Sequence, residues 1–166
     1  MLIVVTIIGI FSSIGIVQFR NNGQRSDLNT NALIFLNSLQ EARNKALTGK
    51  NINNEVPLGY GVIISDSFDF NEKDDWDCSS GCLYASTTSA FIYLNDVGII
   101  DDIFVTVTDV DETRIDFKLP RANPIILLDQ SESINISIQL DYFNNKRCVE
   151  VNSISGRMDV VTCSQI

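Results

Sequence analysis

From Met1 to Phe19 the chain carries no charged side chain, and this run, MLIVVTIIGIFSSIGIVQF, constrains the fold more than any other stretch. As a helix rising ~1.5 Å per residue it spans roughly 28 Å, close to the hydrocarbon thickness of a bilayer. Leu2, Ile3, Val4, Val5, Ile7, Ile8, Gly9, Ile10, Phe11, Ile14, Ile16, Val17 and Phe19 surround the helix, so no single face is reserved for a soluble core. The polar members Thr6, Ser12, Ser13 and Gln18 are uncharged, and hydroxyls can bond back to helix carbonyls. A cleaved secretory peptide would carry a basic n-region and a small-residue cleavage site, and neither is present. A pair of buried strands is the other alternative, because Ile and Val favour strands. The run is read as a membrane helix over residues 1–19.

The next segment, 20–50, has a different pattern. Arg20 to Arg25 is polar, and Ser26 or Asp27 can cap a new turn. Leu28, Ala32, Phe35, Leu36, Leu39, Ala42, Ala46 and Leu47 then recur at spacings of three and four, an amphipathic helical stripe. Thr48-Gly49-Lys50-Asn51 supplies a C-terminal glycine with cations nearby. A single helical stem is expected, with a break near Gly23.

Charge divides the chain the same way. Residues 1–50 hold five basic and two acidic side chains, residues 51–113 thirteen acids against Lys73 alone, and residues 114–166 six of each. The net charge of −9 and pI near 4.3 make the chain as a whole a poor match for nucleic-acid phosphates. There is no His, which removes the commonest general base and every Ser-His or Cys-His pair. No phosphate-binding glycine loop or nucleophile elbow is present, and no enzymatic activity or cofactor is expected. The acidic clusters Asp74, Asp75 and Asp77, and Asp109 and Asp111, are weak calcium candidates, because neither follows the order of an EF-hand loop. Solvated loops are their plainer reading.

Residues 51–166 read as a β-rich head. Strand-like runs occupy Tyr60–Ser65, Leu83–Leu94, Ile103–Val110, Thr113–Lys118, Pro124–Leu128 and Ile134–Tyr142. In the last of these, Ile134, Ile136, Ile138 and Leu140 alternate with polar residues, which gives one dry and one wet face. Segments 52–59 and 66–80 read as irregular loops. The expected fold class is α+β, a long N-terminal membrane and stem helix followed by a small antiparallel β-sandwich or sheet.

The run LIVVTIIGIFSSIGIVQFRNN, followed by LNSLQEARNKAL, resembles the N-terminal helix of bacterial type IV pilins and type II secretion pseudopilins. The ARNKAL phrase with a β-rich domain after it is most similar to minor pseudopilins of the GspH/FimT type. Val149-Glu150-Val151 followed by Ser155-Gly156-Arg157 resembles the terminal hairpin common in these proteins. The resemblance implies a pilin-like fold and a single-pass protein of the bacterial inner membrane with its head outside. It also implies partners: other pilin or pseudopilin subunits, inner-membrane lipid, a prepilin peptidase and the assembly machinery. The family's basic leader, the Gly before its cleavage point and the Glu beyond it are absent. A start assigned too far downstream is expected, with Lys/Arg, then Gly, then an aromatic or Met, then Glu encoded before Leu2. Some FimT-like proteins bind DNA; here Lys146, Arg147 and Arg157, or Lys118 with Arg121, are the basic candidates for such contact, and nucleic acid is not an expected partner. A solitary membrane-tethered binding module is the third alternative.

Four cysteines, Cys78, Cys82, Cys148 and Cys163, lie in the head. If Ser155-Gly156 is a two-residue hairpin turn, Cys148 falls opposite Cys163, at about 4.5–5.5 Å between Cα atoms and within disulfide reach. Cys78 and Cys82 then close a tight loop that Gly81 makes easy. A four-thiolate zinc site would want paired short spacings, which the distant Cys148 and Cys163 do not provide. Two structural disulfides in an oxidising compartment are expected.

Overall fold

In the computed structural model, residues Leu2–Thr48 form one unbroken α-helix, α1. The structure describes residues 2–49, 51–52, 55–65, 78–88, 91–100, 102–107, 110, 112–119, 122–129 and 131–163, with side chains from residue 22 onward except at 78 and 79. No break occurs at Gly23. The Thr30 hydroxyl and the Asn31 amide instead donate back to the carbonyls of Ser26 and Asp27, in place of a new N-cap. At the far end Gly49 takes φ 60° and returns its N–H to the Lys45 carbonyl, the glycine stop anticipated from the sequence. Among the described residues no helix is long and apolar enough to cross a membrane. The charge-free run belongs to α1 by its backbone from Leu2, and its side chains lie outside those described.

Among the described residues ten strands follow: β1 Gly59–Ser65, β2 Cys78–Ser86, β3 Phe91–Asp96, β4 Phe104–Val107, β5 Glu112–Lys118, β6 Pro124–Leu128, β7 Ser131–Ser133, β8 Asn135–Tyr142, β9 Asn145–Asn152 and β10 Met158–Val161. They make a six-stranded antiparallel sheet, β3-β2-β1-β5-β6-β7, and a four-stranded one, β10-β9-β8-β4. The helix touches β1, β2 and β5 of the first and β8, β9 and β10 of the second. Leu28, Ala32, Phe35, Leu39, Ala42 and Ala46, spaced alternately four and three apart, are all buried, and they share one core with Val62, Ile115, Ile138 and Val149. The predicted stripe is therefore the buried face, apart from Leu47, which is more than half exposed, and Leu36, which only flanks the core.

Several strand expectations change, among them Ile103–Val110, of which only Phe104–Val107 is strand among the described residues and Ile103 lies outside it. The run Leu83–Leu94 is not one strand but parts of β2 and β3, paired antiparallel so that Tyr84 faces Tyr93. β2 also begins earlier, at Cys78, inside the segment read as loop. Ile134 falls outside β8, in the bend after β7, and is exposed, while Ile136, Ile138 and Leu140 are buried as the alternation requires.

Candidate functional site

β1 is buried along its whole length, on both faces. Tyr60, Val62 and Ile64 face the helix core, and Gly59, Gly61, Ile63 and Ser65 alternate with them onto the far face of the six-stranded sheet. There Gly61 lies between Tyr84 of β2 and Asp116 of β5. The Tyr84 hydroxyl donates to Asp116 Oδ1, so the phenol crosses over the glycine to the next strand but one. A Cβ at position 61 would stand 2.6 Å from both the Tyr84 hydroxyl and the Ile115 carbonyl oxygen. Only glycine leaves that passage open.

Charges gather around this tie. Arg114 Nε lies 3.4 Å from Asp116 Oδ2, and its guanidinium stands 5.1 Å over the centre of the Phe91 ring. Burial raises the Asp116 carboxyl to about 6, with Lys118 pulling it back down. Burial likewise lowers Arg114, against Glu112, and raises Glu112, against Arg114. A groove of about 270 Å³ opens beside the tie, lined by Leu58, Phe91, Arg114, Lys118, Leu127 and Glu132 among others. The phenol and the carboxylate bond to each other, so the cluster fastens β2, β1 and β5 together. A solitary Gly inside a strand-like run was the available sequence signal for this close approach.

The far face of the four-stranded sheet is wet. Ser137 faces Glu150, and Glu150 faces Asp159, across β8, β9 and β10. Asn135, Asn152 and Arg157 complete an open polar groove of about 590 Å³.

The C-terminal hairpin contains the Cys148–Cys163 disulfide, with 5.1 Å between Cα atoms. The register that led to this pairing is corrected by two residues: Val161, not Cys163, lies opposite Cys148. The Asn152 side chain accepts from both the backbone N–H and the hydroxyl of Ser155, and Asn152 N–H pairs with the Arg157 carbonyl. That side-chain turn draws Ser153–Gly156 into a four-residue loop in place of the two-residue turn. Val149 and Val151 still face the core, because a shift of two keeps every residue on its face. Cys82 is disulfide-bonded and no described cysteine is free; the side chain of Cys78, its expected partner, lies outside the described residues. Ile63 faces Cys82 and Ser65 faces Cys78, so Ser79–Gly81 bulge from the ladder, with Gly81 at φ 100°.

The basic candidates are not brought together. Lys146 is the second residue of β9 and is 3.6 Å from Asp141, Arg147 donates to the Thr162 hydroxyl, and Arg157 lies past the other end of the strand, bonded to Asp159. Lys118 ends β5, and Arg121 is outside the described residues. Asp74, Asp75, Asp77, Asp109 and Asp111 also fall outside them, and among the described residues no acidic or Cys group could hold a metal ion. The helix residues proposed for lipid and filament contact, Leu2 to Phe19, lie in α1 by backbone alone. No family model, curated protein or solved structure matches the chain.

Proposed function

We propose that this chain is a structural subunit, of the minor kind, of a type IV pilus or type II secretion pseudopilus. Its N-terminal helix holds it in the inner membrane and then packs among the helices of neighbouring subunits. One observation carries the reading: α1 is a single 47-residue helix, and among the described side chains its buried stripe on the head starts at Leu28. Upstream of that stripe lies the charge-free sequence 1–19, apolar on every side. A helix of that kind is equally satisfied by lipid and by a bundle of identical helices, where close packing and small residues such as Gly9 and Gly15 supply the attraction. The Cys148–Cys163 disulfide supports a head outside the cytoplasm.

Membrane integration is the experiment. The full chain, expressed in a bacterial cell, is expected to stay in the membrane pellet through alkaline extraction, with its head digested by protease added to spheroplasts. Release into the alkaline supernatant, or a head protected until the cells are lysed, would overturn the reading.

A further inference from the structure

Two hydrogen bonds fix how the four-stranded sheet lies along the helix. Arg25 Nε donates to Asn145 Oδ1 at 3.2 Å, and Arg43 Nη1 donates to the Gly156 carbonyl at 3.3 Å. β9 therefore runs beside α1 in the same direction, and the β8–β9 turn at Phe143-Asn144 projects past Asn145 toward the N-terminal end of the helix. Phe143 takes φ 53°, a region that a two-residue hairpin turn normally gives to Asn or Gly, and it is 67% exposed. Its ring meets Tyr142 edge-on at 4.8 Å. Phe104, 70% exposed, starts β4 at the same end of the sheet, opposite Asp141. Two of the most exposed large apolar side chains of the head thus stand at the end where the helix continues toward the charge-free run.

From Phe19 to Arg25 the helix rises only about 9 Å. The polar layer on each side of a bilayer is roughly 5–8 Å deep, and the turn reaches back from Asn145 by about one to two residues of ~3.4 Å each. We propose that Phe143, with Phe104 beside it, seats the β8–β9 turn in the interfacial layer of the membrane that holds the stem, fixing the height and tilt of the head before assembly. This rests on the reading that residues 1–19 lie in lipid. At this end Asp141 is paired with Lys146, Arg25 donates to Asn145 and Arg147 donates to the Thr162 hydroxyl. The attraction proposed is aromatic: Tyr, Trp and Phe favour this layer, where ring and water meet.

The test uses the full chain in phosphatidylcholine vesicles, with Phe143→Trp in a Trp76→Phe background. Ile154→Trp in the same background is the control, because Ile154 is 75% exposed in the turn at the opposite end, near Arg43. Flotation reads whether the stem is in lipid. The expected result is a floating protein whose probe at position 143 loses about half its emission or more to lipids brominated near the headgroup, as for a ring at the headgroup–acyl boundary, with the probe at 154 unaffected. A floating protein whose position-143 probe is unquenched overturns the proposal and leaves the stem reading standing. An unquenched probe whose emission shifts to the blue as protein is crowded in the vesicle also overturns it, and assigns the aromatic turn to a second copy. A chain that does not float overturns both.

Discussion

The six-stranded and the four-stranded sheet lay one face each on the same helix, yet their other faces differ. On the four-stranded sheet Ser137, Glu150 and Asp159 form a polar row open to water. On the six-stranded sheet the central strand β1 is buried on both sides, and Tyr84 reaches across Gly61 to close the far face. The wet sheet draws its order from alternation and is locked at its end by the Cys148–Cys163 disulfide. The dry one relies on a glycine gap and a buried phenol–carboxylate tie. A strand with a wet face tolerates change there, whereas a strand dry on both faces has no neutral position.

Removing each sheet's own device breaks the comparison in a measurable order. The largest effect is expected from Cys148→Ser with Cys163→Ser. The bridge spans 15 residues, for which the loss is about 3 kcal/mol by urea unfolding. A smaller change would mean that the hairpin holds its register without the bridge. Gly61→Ala comes next, at about 2 kcal/mol, because its methyl would press on the Ile115 backbone carbonyl as well as on the Tyr84 hydroxyl. Ser137→Ala, on the wet face of β8, should stay within about 0.5 kcal/mol. Equal costs at the two positions would remove the distinction between the sheets.

Between the effects at Gly61 and Ser137 falls a pH dependence confined to the dry sheet. Asp116 has a folded-state value of about 6, above its ordinary 3.8. The folded state therefore binds the proton more tightly, and stability from this group falls as pH rises between those two values. Moving from pH 5 to pH 7.5 should cost on the order of 1 kcal/mol through this carboxyl. Asp116→Asn, which keeps an acceptor for Tyr84, should remove that part of the slope. An unchanged slope in the variant would show that the carboxyl is already ionised in the folded protein at pH 5.

What could be read from the sequence follows the same division. The helical stripe from Leu28 to Ala46 and the alternation of Ile136, Ile138 and Leu140 were legible, because each leaves one face in water and so writes its period into the chain. The split of Leu83–Leu94 into β2 and β3 was not, since Ser86-Thr87-Thr88-Ser89 between them holds no glycine or proline to mark a turn, and its threonines read as strand. The Cys148–Cys163 bond was reached through a turn that the structure replaces. Asn152 holds a longer loop by side-chain bonds that a two-residue template omits, and the pairing survived because the slip was an even number of residues. The tie over Gly61 joins residues 32 apart in sequence, and the chain shows only the glycine that permits it. The aromatic turn at Phe143 was hidden for a different reason, as exposure and backbone sign are not written in residue type.

Filament incorporation tests the central claim most directly. Cells carrying this chain together with a prepilin peptidase, a major subunit and an assembly ATPase are sheared, and the released fibres are pelleted and probed for the head. The chain should appear in the fibre pellet, and Ile7→Asp with Ile10→Asp should abolish that while leaving the head's oxidised Cys148–Cys163 bond intact. A chain absent from the fibres, or one incorporated equally well with both aspartates in its helix, would contradict the account.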